Sequence, residues 1–281
     1  MKGITLMFTL NIAGVRFNIT SDLKSDIPRT FLKDHFGGFM SNGGPTKKDL
    51  PLHLSMENGR MDVSQGKVIY QQNGSCLYYN PLNRNVNLVV KGLGGFTSLY
   101  TTIYLLTSMT LTEEDGCLFH GAGVVHRGKG YLFIGPSGAG KTTVAGLLVA
   151  PACEQTKAGD KPPRYKGWKV LSDDAIAMRR KDGRYLIHST PFGSGGAYPQ
   201  DSAPLSHILV LKKDRVDYRE RLTPMDAMGH LIPDIPFIRF FERDNIERLM
   251  SLGYSLAKDL PVSLLHFTRD PKTLKEVITY G

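Results

Sequence analysis

The sequence has few cysteines and no long apolar run, and both absences narrow what the protein can be. Its three cysteines, Cys76, Cys117 and Cys153, are far apart and lack CxxC spacing, so neither a disulfide framework nor a cysteine zinc site is expected. No apolar stretch reaches the roughly 20 residues of a membrane-spanning helix. The opening residues MKGITLMFTLNIAGV carry one Lys and are interrupted by Asn11, which predicts a β-strand and not a signal peptide. We therefore expect a cytoplasmic protein without a membrane partner.

Positive charge is in excess, but it is not concentrated in one place. The formal net charge is +9, from 35 Lys and Arg against 26 Asp and Glu. The densest basic stretch, residues 212–221, contains acids as well. This distribution favours a solvated basic surface over a nucleic-acid interface. The length of 281 residues suits one large globular domain or two modest ones.

The chain changes in character near residue 112. Four short strand-like runs precede this point, with turn-rich stretches between them: TLMFTLNI, GKVIYQQ, SCLYYN and NVNLVV. Residues 95–111 are apolar on nearly all sides, and their length favours a buried helix. We predict a smaller α+β domain over residues 1–112. A role for it in substrate selection or in assembly, including a homo-oligomer, stays open.

Strands and helices alternate from Cys117 onwards, after a surface connection at residues 112–116, which predicts an α/β domain over residues 113–281. The strand-like runs are LFHGAGVV, YLFIG, WKVLS, HILVLKK, DYRERL and PVSLLHFT. The helical runs are GKTTVAGLLVA, TPMDAMGHLI, RDNIERLMSLGYSLAKDL and DPKTLKEVITY. Thr223 followed by Pro224 is a helix start signal, and Asp182-Gly183 predicts a hairpin turn within AIAMRRKDGRYLIHS.

A phosphate-binding loop is the most specific motif in the chain. Residues 135–142, GPSGAGKT, satisfy the pattern GxxxxGK[ST] in full, between an apolar strand and a helix. The glycines allow successive backbone N–H groups to surround phosphate oxygens, and the helix N-terminus favours anions. We expect a nucleotide here, with Lys141 on its outer phosphates and the Thr142 hydroxyl on Mg²⁺. The predicted nucleotide-binding residues are Gly135, Pro136, Ser137, Gly138, Ala139, Gly140, Lys141, Thr142 and Thr143.

The strand that feeds the loop is predicted to be the second half of a hairpin. Gly128-Lys129-Gly130 is a turn signal between two apolar strands. If Gly128 and Lys129 form the turn, His126 pairs with Tyr131. The same register then places His120 beside Ser137 in the loop. A satisfied buried histidine at a strand start is the alternative for His120. An antiparallel hairpin here predicts a mixed sheet, where common doubly wound phosphate-loop proteins have a largely parallel one.

Two adjacent acids, Asp173 and Asp174, follow the strand-like run WKVLS. A carboxylate near a phosphate loop can bind Mg²⁺, and a second can accept the proton of an attacking hydroxyl. Consecutive strand residues point to opposite faces, so both acids serve one site only if the strand bends or ends there. The alternative is an Asx-type turn that leaves the strand.

Taken together, His120-Gly121, the hairpin, GPSGAGKTT and VLSDD resemble the pattern of HPr kinase/phosphorylase-related proteins and of their wider superfamily with phosphoenolpyruvate carboxykinases. The resemblance covers residues 115–281. It implies an α/β, mixed-sheet phosphate-loop kinase domain of phosphoenolpyruvate carboxykinase-like type, preceded by the smaller α+β domain. It also implies transfer of the γ-phosphoryl group of ATP, with Mg²⁺, to a serine hydroxyl of a protein or peptide.

The resemblance also implies a role for each site residue by its position. Asp173 would be the base that activates the hydroxyl, His120 would assist near the transferred phosphoryl group, and Lys141 would hold phosphates. Thr142 and Asp174 would bind the metal.

The chain departs from true HPr kinases after the acidic pair. Their Glu-x-Arg-Gly-type signature is missing, and HSTPFGSGG at 188–196 occupies that interval. The resemblance is therefore to related kinases that are not HPr-specific, whose acceptor can be a ribosomally made peptide precursor such as that of a lasso peptide. The glycines of TPFGSGG suit a segment that covers the nucleotide. A kinase of a small metabolite and a nucleotide-dependent ATPase or switch remain alternative functions.

Overall fold

The structure is a computed structural model that divides into two compact units, Met1–Thr110 and Leu111–Gly281. It describes residues 6–21, 27–56, 67–72, 75–80, 85–90, 96–149, 167–193 and 198–280. The division falls two residues before the boundary that the sequence predicts, within a helix that continues across it.

The first unit contains a mixed β-sheet, with one helix between its second and third strands and another after its last strand. Its elements are β1 (Leu6–Ile12), β2 (Val15–Ser21), α1 (Ile27–Phe36), β3 (Leu50–Met56), β4 (Lys67–Gln72), β5 (Ser75–Asn80), β6 (Asn85–Val90) and α2 (Phe96–Glu113). The sheet order is β1-β2-β3-β6-β5-β4, and β3 runs parallel to both of its neighbours. The four predicted strands and the predicted helix over residues 95–111 are confirmed. The interpretation of residues 41–59 as a turn-rich stretch was wrong in part, because β3 lies within it.

The second unit alternates strands and helices in the predicted order. Its elements are β7 (Gly116–His126), β8 (Lys129–Ile134), α3 (Lys141–Val149), β9 (Trp168–Ser172), β10 (Ala175–Lys181), β11 (Arg184–His188), β12 (Ser202–Lys213), β13 (Tyr218–Arg221), α4 (Pro224–Leu231), α5 (Arg243–Asp259), β14 (Val262–Phe267) and α6 (Pro271–Tyr280). Thr223 caps α4 by accepting a hydrogen bond from the Asp226 N–H. Asp182 and Gly183, both with positive φ, form the predicted turn between β10 and β11.

The sheet of the second unit is mixed, as the hairpin predicts. Its order is β11-β10-β7-β8-β12-β14-β13, with β9 paired to β7 and β11 also paired to β12. β8, β12 and β14 are parallel neighbours, whereas β7 runs antiparallel to β8, β9 and β10. The carboxyl ends of β8, β12 and β14 therefore lie at the same edge of the sheet, where ligands bind in many α/β proteins.

Helices α3 and α6 are anchored to this sheet by a shared hydrophobic core. Val144 and Leu148 of α3 and Leu274 and Ile278 of α6 are buried in one cluster with side chains of β7, β8, β12 and β14. Each fully buried aliphatic side chain contributes about 1.5–3 kcal/mol. This packing holds the first turn of α3, and with it the phosphate loop, against the sheet edge.

The hairpin before the loop has a different register from the predicted one. His126 pairs with Lys129, and Gly121 pairs with Ile134. The turn is Arg127-Gly128, with φ of 49° and 76°, which are the two positive values that a type I′ turn requires. The predicted turn was one residue too late, so the predicted placement of His120 beside Ser137 in the ladder was wrong. Continued by one step, the observed register sets His120 opposite Gly135.

Two of the three cysteines lie among the described residues, and the described helices can be compared with the length of a membrane-spanning helix. Cys76 and Cys117 are buried free thiols, and burial raises the pKa of the Cys117 thiol. Cys153 lies outside the described residues. None of the described helices is both long enough and apolar enough to cross a membrane.

Candidate functional site

The phosphate-binding loop joins the end of β8 to the start of α3, and its glycines are required by its shape. Gly135, Gly138 and Gly140 have φ of 144°, 79° and 106°, a region that L side chains rarely adopt. At Gly140 a Cβ would also lie 2.9 Å from Cζ of Phe267. The Val144 N–H donates to the Gly140 carbonyl at 2.8 Å, so the helix begins directly from the loop.

Lys141 is buried beneath the loop. Its Nζ donates to the carbonyl oxygens of Gly135 at 2.6 Å and Pro136 at 3.2 Å. Burial lowers the pKa of the Lys141 amine, whereas the charges of Asp234 and Asp174 raise it. The ammonium group is therefore held at the loop by carbonyl dipoles and nearby carboxylates.

The acidic pair lies where β9 has ended and β10 has not yet begun. Both acids line the same cavity, so the condition that the strand ends at the pair is met. Asp173 is 6% exposed, and its backbone carbonyl accepts a hydrogen bond from the Thr142 hydroxyl at 3.3 Å. This contact links the acidic pair to the first turn of α3.

His120 belongs to this site. Its Nδ1 lies 3.2 Å from Oδ1 of Asp174, with side chains 39% and 41% exposed. The alternative of a buried structural histidine is therefore wrong. Two pairings hold it there: His120 lies opposite Ala175 in the β7–β10 ladder, and the N–H of Gly121 donates to the Asp174 carbonyl at 2.9 Å.

These side chains line one cavity of about 770 Å³, a volume typical of small-molecule sites. Of the predicted site residues, the cavity is lined by His120, Ser137, Gly138, Gly140, Lys141, Thr142, Thr143, Asp173 and Asp174. Gly135, Pro136 and Ala139 shape the loop but do not line the cavity. The lining residues that the sequence did not predict are Lys213, Asp214, Arg215, Phe267, Thr268 and Arg269.

Asp234 is a buried acid at this site that sequence reasoning missed. Its Oδ2 accepts a hydrogen bond from the Gly135 N–H at 2.6 Å, and its backbone carbonyl accepts one from the His120 N–H at 2.6 Å. Burial raises the pKa of the Asp234 carboxyl, while the Gly135 hydrogen bond and the charge of Lys141 lower it. The sequence offers one signal for Asp234, since it is a single acid between the two prolines of IPDIP. Its hydrogen-bond partners, however, lie about 100 residues earlier in the chain.

The segment predicted to cover the nucleotide begins next to the acidic pair. The Ala175 N–H donates to the Phe192 carbonyl at 3.1 Å, and the Thr190 hydroxyl donates to the Ala175 carbonyl at 2.6 Å. The Phe192 side chain is fully buried. Residues 190–192 therefore support the acidic pair, while residues 194–196 of the predicted cover lie outside the described residues.

The oxygen donors at the cavity fit the way in which Mg²⁺ is usually bound in proteins. Among the described residues no three His, Cys, Asp or Glu side chains are grouped as a metal site. Mg²⁺ usually keeps several waters and binds one or two carboxylates together with substrate phosphates. Thr142 and Asp174 provide hard oxygen donors at the cavity, which fits that mode of binding.

A comparison of the chain with models of known protein families finds no match, and neither does a search of curated proteins.

Proposed function

We propose that the protein is an ATP-dependent kinase that transfers the γ-phosphoryl group to a serine hydroxyl of a protein or peptide. One observation carries the proposal: Lys141 and Thr142 of the phosphate loop share a single cavity with His120 and two carboxylates. A phosphate loop alone binds a nucleotide, whereas an adjacent carboxylate can also activate an acceptor.

In the proposed reaction the acceptor oxygen forms a bond to the γ-phosphorus, and the bond from that phosphorus to the β–γ bridging oxygen breaks. Asp173 takes the proton of the hydroxyl, and ADP carries away the bridging oxygen. Lys141 neutralises charge on the phosphate oxygens, and His120 stands beside the transferred group. Mg²⁺, when bound through Thr142 and Asp174, would supply further charge neutralisation.

The resemblance to HPr kinase-related proteins supports a peptide or protein acceptor. The missing Glu-x-Arg-Gly-type signature argues against HPr itself, and a ribosomally made peptide precursor suits the basic chain. A small alcohol is the acceptor to test next.

The decisive experiment incubates the protein with Mg²⁺-ATP and candidate proteins and precursor peptides from the same gene neighbourhood. Mass spectrometry should reveal the addition of one phosphoryl group to a serine. Asp173→Asn should bind ATP but transfer phosphate about 10²–10⁴-fold more slowly, because the general base is lost. Lys141→Ala should lose transfer together with much of its ATP affinity.

Two matched variants control for the change in charge. Asp182→Asn alters an exposed turn acid at a position where Asn is equally suited, and Lys129→Ala removes an exposed lysine outside the cavity. Both should transfer phosphate at the full rate. Full transfer by Asp173→Asn would disprove the assignment of the base. Turnover with small alcohols alone would identify a metabolic kinase, and ATP hydrolysis without any acceptor would identify an ATPase.

A further inference from the structure

The cavity has a second wall that the transfer step does not use. We call it the β12–β14 wall: it consists of Lys213–Arg215, where β12 ends, and Phe267–Arg269, where β14 ends. In the sheet, β12 and β14 lie on one side of β8. The strand β7, which carries His120, lies on the other side and pairs with β9, which leads to the acidic pair.

This order sets the direction in which a triphosphate would lie across the loop. The γ-phosphate must be near the groups that act on it, which are the Lys141 amine, His120 and the acidic pair. The end of the triphosphate that carries the sugar must therefore point the other way, towards β12 and β14. The Phe267 ring lies close to the loop on that side, because a Cβ added at Gly140 would be only 2.9 Å from its Cζ.

Hydrogen bonds hold the β12–β14 wall in one shape. The Asp214 N–H donates to the Phe267 carbonyl at 3.0 Å, and the two Asp214 carboxylate oxygens accept from His266 Nδ1 at 2.7 Å and from the Arg215 N–H at 2.6 Å. Asp217 accepts from the Thr268 N–H at 2.7 Å and hydroxyl at 2.8 Å. The acids of these two loops are thus engaged in building the wall.

The cationic side chains of the wall, unlike its acids, do not hold the wall together. Lys213, Arg215 and Arg269 are exposed, and within the described residues none of them forms a salt bridge. A guanidinium plane stacks well on a nucleobase and also donates hydrogen bonds to sugar and phosphate oxygens. Two free arginines beside a preformed wall therefore suit a nucleoside.

We propose that the β12–β14 wall binds the ribose and base of the nucleotide, with Arg215 and Arg269 against the base and Lys213 beside the phosphate nearest the sugar. This inference rests on the proposed function, because it assigns the half of the nucleotide that the phosphate loop does not hold.

The test compares ATP with inorganic tripolyphosphate, which lacks the nucleoside, as ligands in isothermal titration with Mg²⁺. Arg215→Ala and Arg269→Ala should each weaken ATP binding about tenfold, or about 1.4 kcal/mol, because stacking and hydrogen bonding with the nucleoside are lost. Tripolyphosphate affinity should stay unchanged. Arg221→Ala, an exposed arginine on β13 outside the cavity, is the matched control and should bind both ligands as the wild type does.

The outcomes separate this inference from the proposed function. Equal losses of affinity for ATP and tripolyphosphate would mean that the arginines act on the phosphates by charge. Unchanged ATP affinity together with a raised KM for an acidic acceptor would mean that the wall binds the acceptor. Either result overturns the nucleoside assignment and leaves the kinase proposal standing. If the wild type binds neither ligand, the kinase proposal fails as well. Unchanged thermal unfolding of each variant would show that the overall fold is intact.

Discussion

At the scale of single residues, two side chains of opposite charge, Asp234 and Lys141, form hydrogen bonds with the backbone of Gly135. The Gly135 N–H donates to Asp234 and its carbonyl accepts from Lys141, both at 2.6 Å. Burial lowers the pKa of Lys141, and the Asp234 carboxylate opposes this effect more strongly than Asp174 does. Asp234 therefore acts through Lys141 and the loop backbone as a positioning residue.

Asp234→Asn tests this role, because Asn keeps a carbonyl oxygen for the Gly135 N–H but removes the charge. The pKa of Lys141 should then fall further, so the amine loses its proton at a lower pH. We expect the alkaline limit of ATP affinity to shift to lower pH in the variant, measured by titration calorimetry over a pH series. An unchanged alkaline limit would contradict the charge coupling.

The same variant has a second consequence, for stability. Burial raises the pKa of Asp234, so its contribution to stability is present below the ordinary pKa of Asp and is lost as pH rises through the folded-state value. Asp234→Asn should therefore have an equal or higher Tm than the wild type at neutral pH. This advantage should disappear towards about pH 4, near the ordinary pKa of Asp. A variant that unfolds more easily at neutral pH would show that the hydrogen bond outweighs the buried charge.

At the scale of elements, the phosphate loop and α3 contain two glycines with opposite requirements. Gly140 has a φ of 106° and faces Phe267, whereas Gly146 is a helical position with nothing within 4 Å of an added Cβ. Gly146→Ala should stabilise the protein by about 0.5–1 kcal/mol and keep ATP affinity. Gly140→Ala should destabilise it by more than about 1 kcal/mol and abolish ATP binding. Urea unfolding and ATP titration measure both, and ATP binding by Gly140→Ala would show that the loop tolerates a side chain.

The hairpin shows why one element was predicted correctly and its register was not. Moving the turn from Gly128-Lys129 to Arg127-Gly128 changes each partner by two residues. Because side chains alternate along a strand, a shift of two keeps every side chain on the same face. The buried pattern of β7 and β8 is therefore equally compatible with both registers, and only the turn geometry separates them.

At the scale of the whole molecule, every residue that lines the cavity belongs to the second unit. Residues 111–281 expressed alone should therefore bind ATP as the full chain does. If the first unit selects the acceptor, this fragment should fail to phosphorylate the peptide that the full chain modifies. Circular dichroism establishes that the fragment is folded, and a folded fragment that does not bind ATP would show that the first unit contributes to the nucleotide site.

The sequence by itself determined the features that depend on neighbouring residues. The glycines of the phosphate loop, Lys141 and Thr142 lie within eight positions, so one stretch of backbone specifies the shape of the loop. Helices and strands of the second unit follow from short-range periodicity and from turn and cap residues such as Asp182-Gly183 and Thr223. The acidic pair was also readable, because it lies at the end of an apolar strand.

Only the tertiary structure decided which distant residues meet at the loop. It brought Asp234 to Gly135, placed His120 against Asp174 instead of in the core, and set the loops after β12 and β14 beside Gly140. These contacts depend on the order of strands in the sheet and on which loops end at the same edge. Pairing between segments that are tens of residues apart does not change the hydrophobic periodicity of either segment. The sequence therefore does not reveal which segments pair.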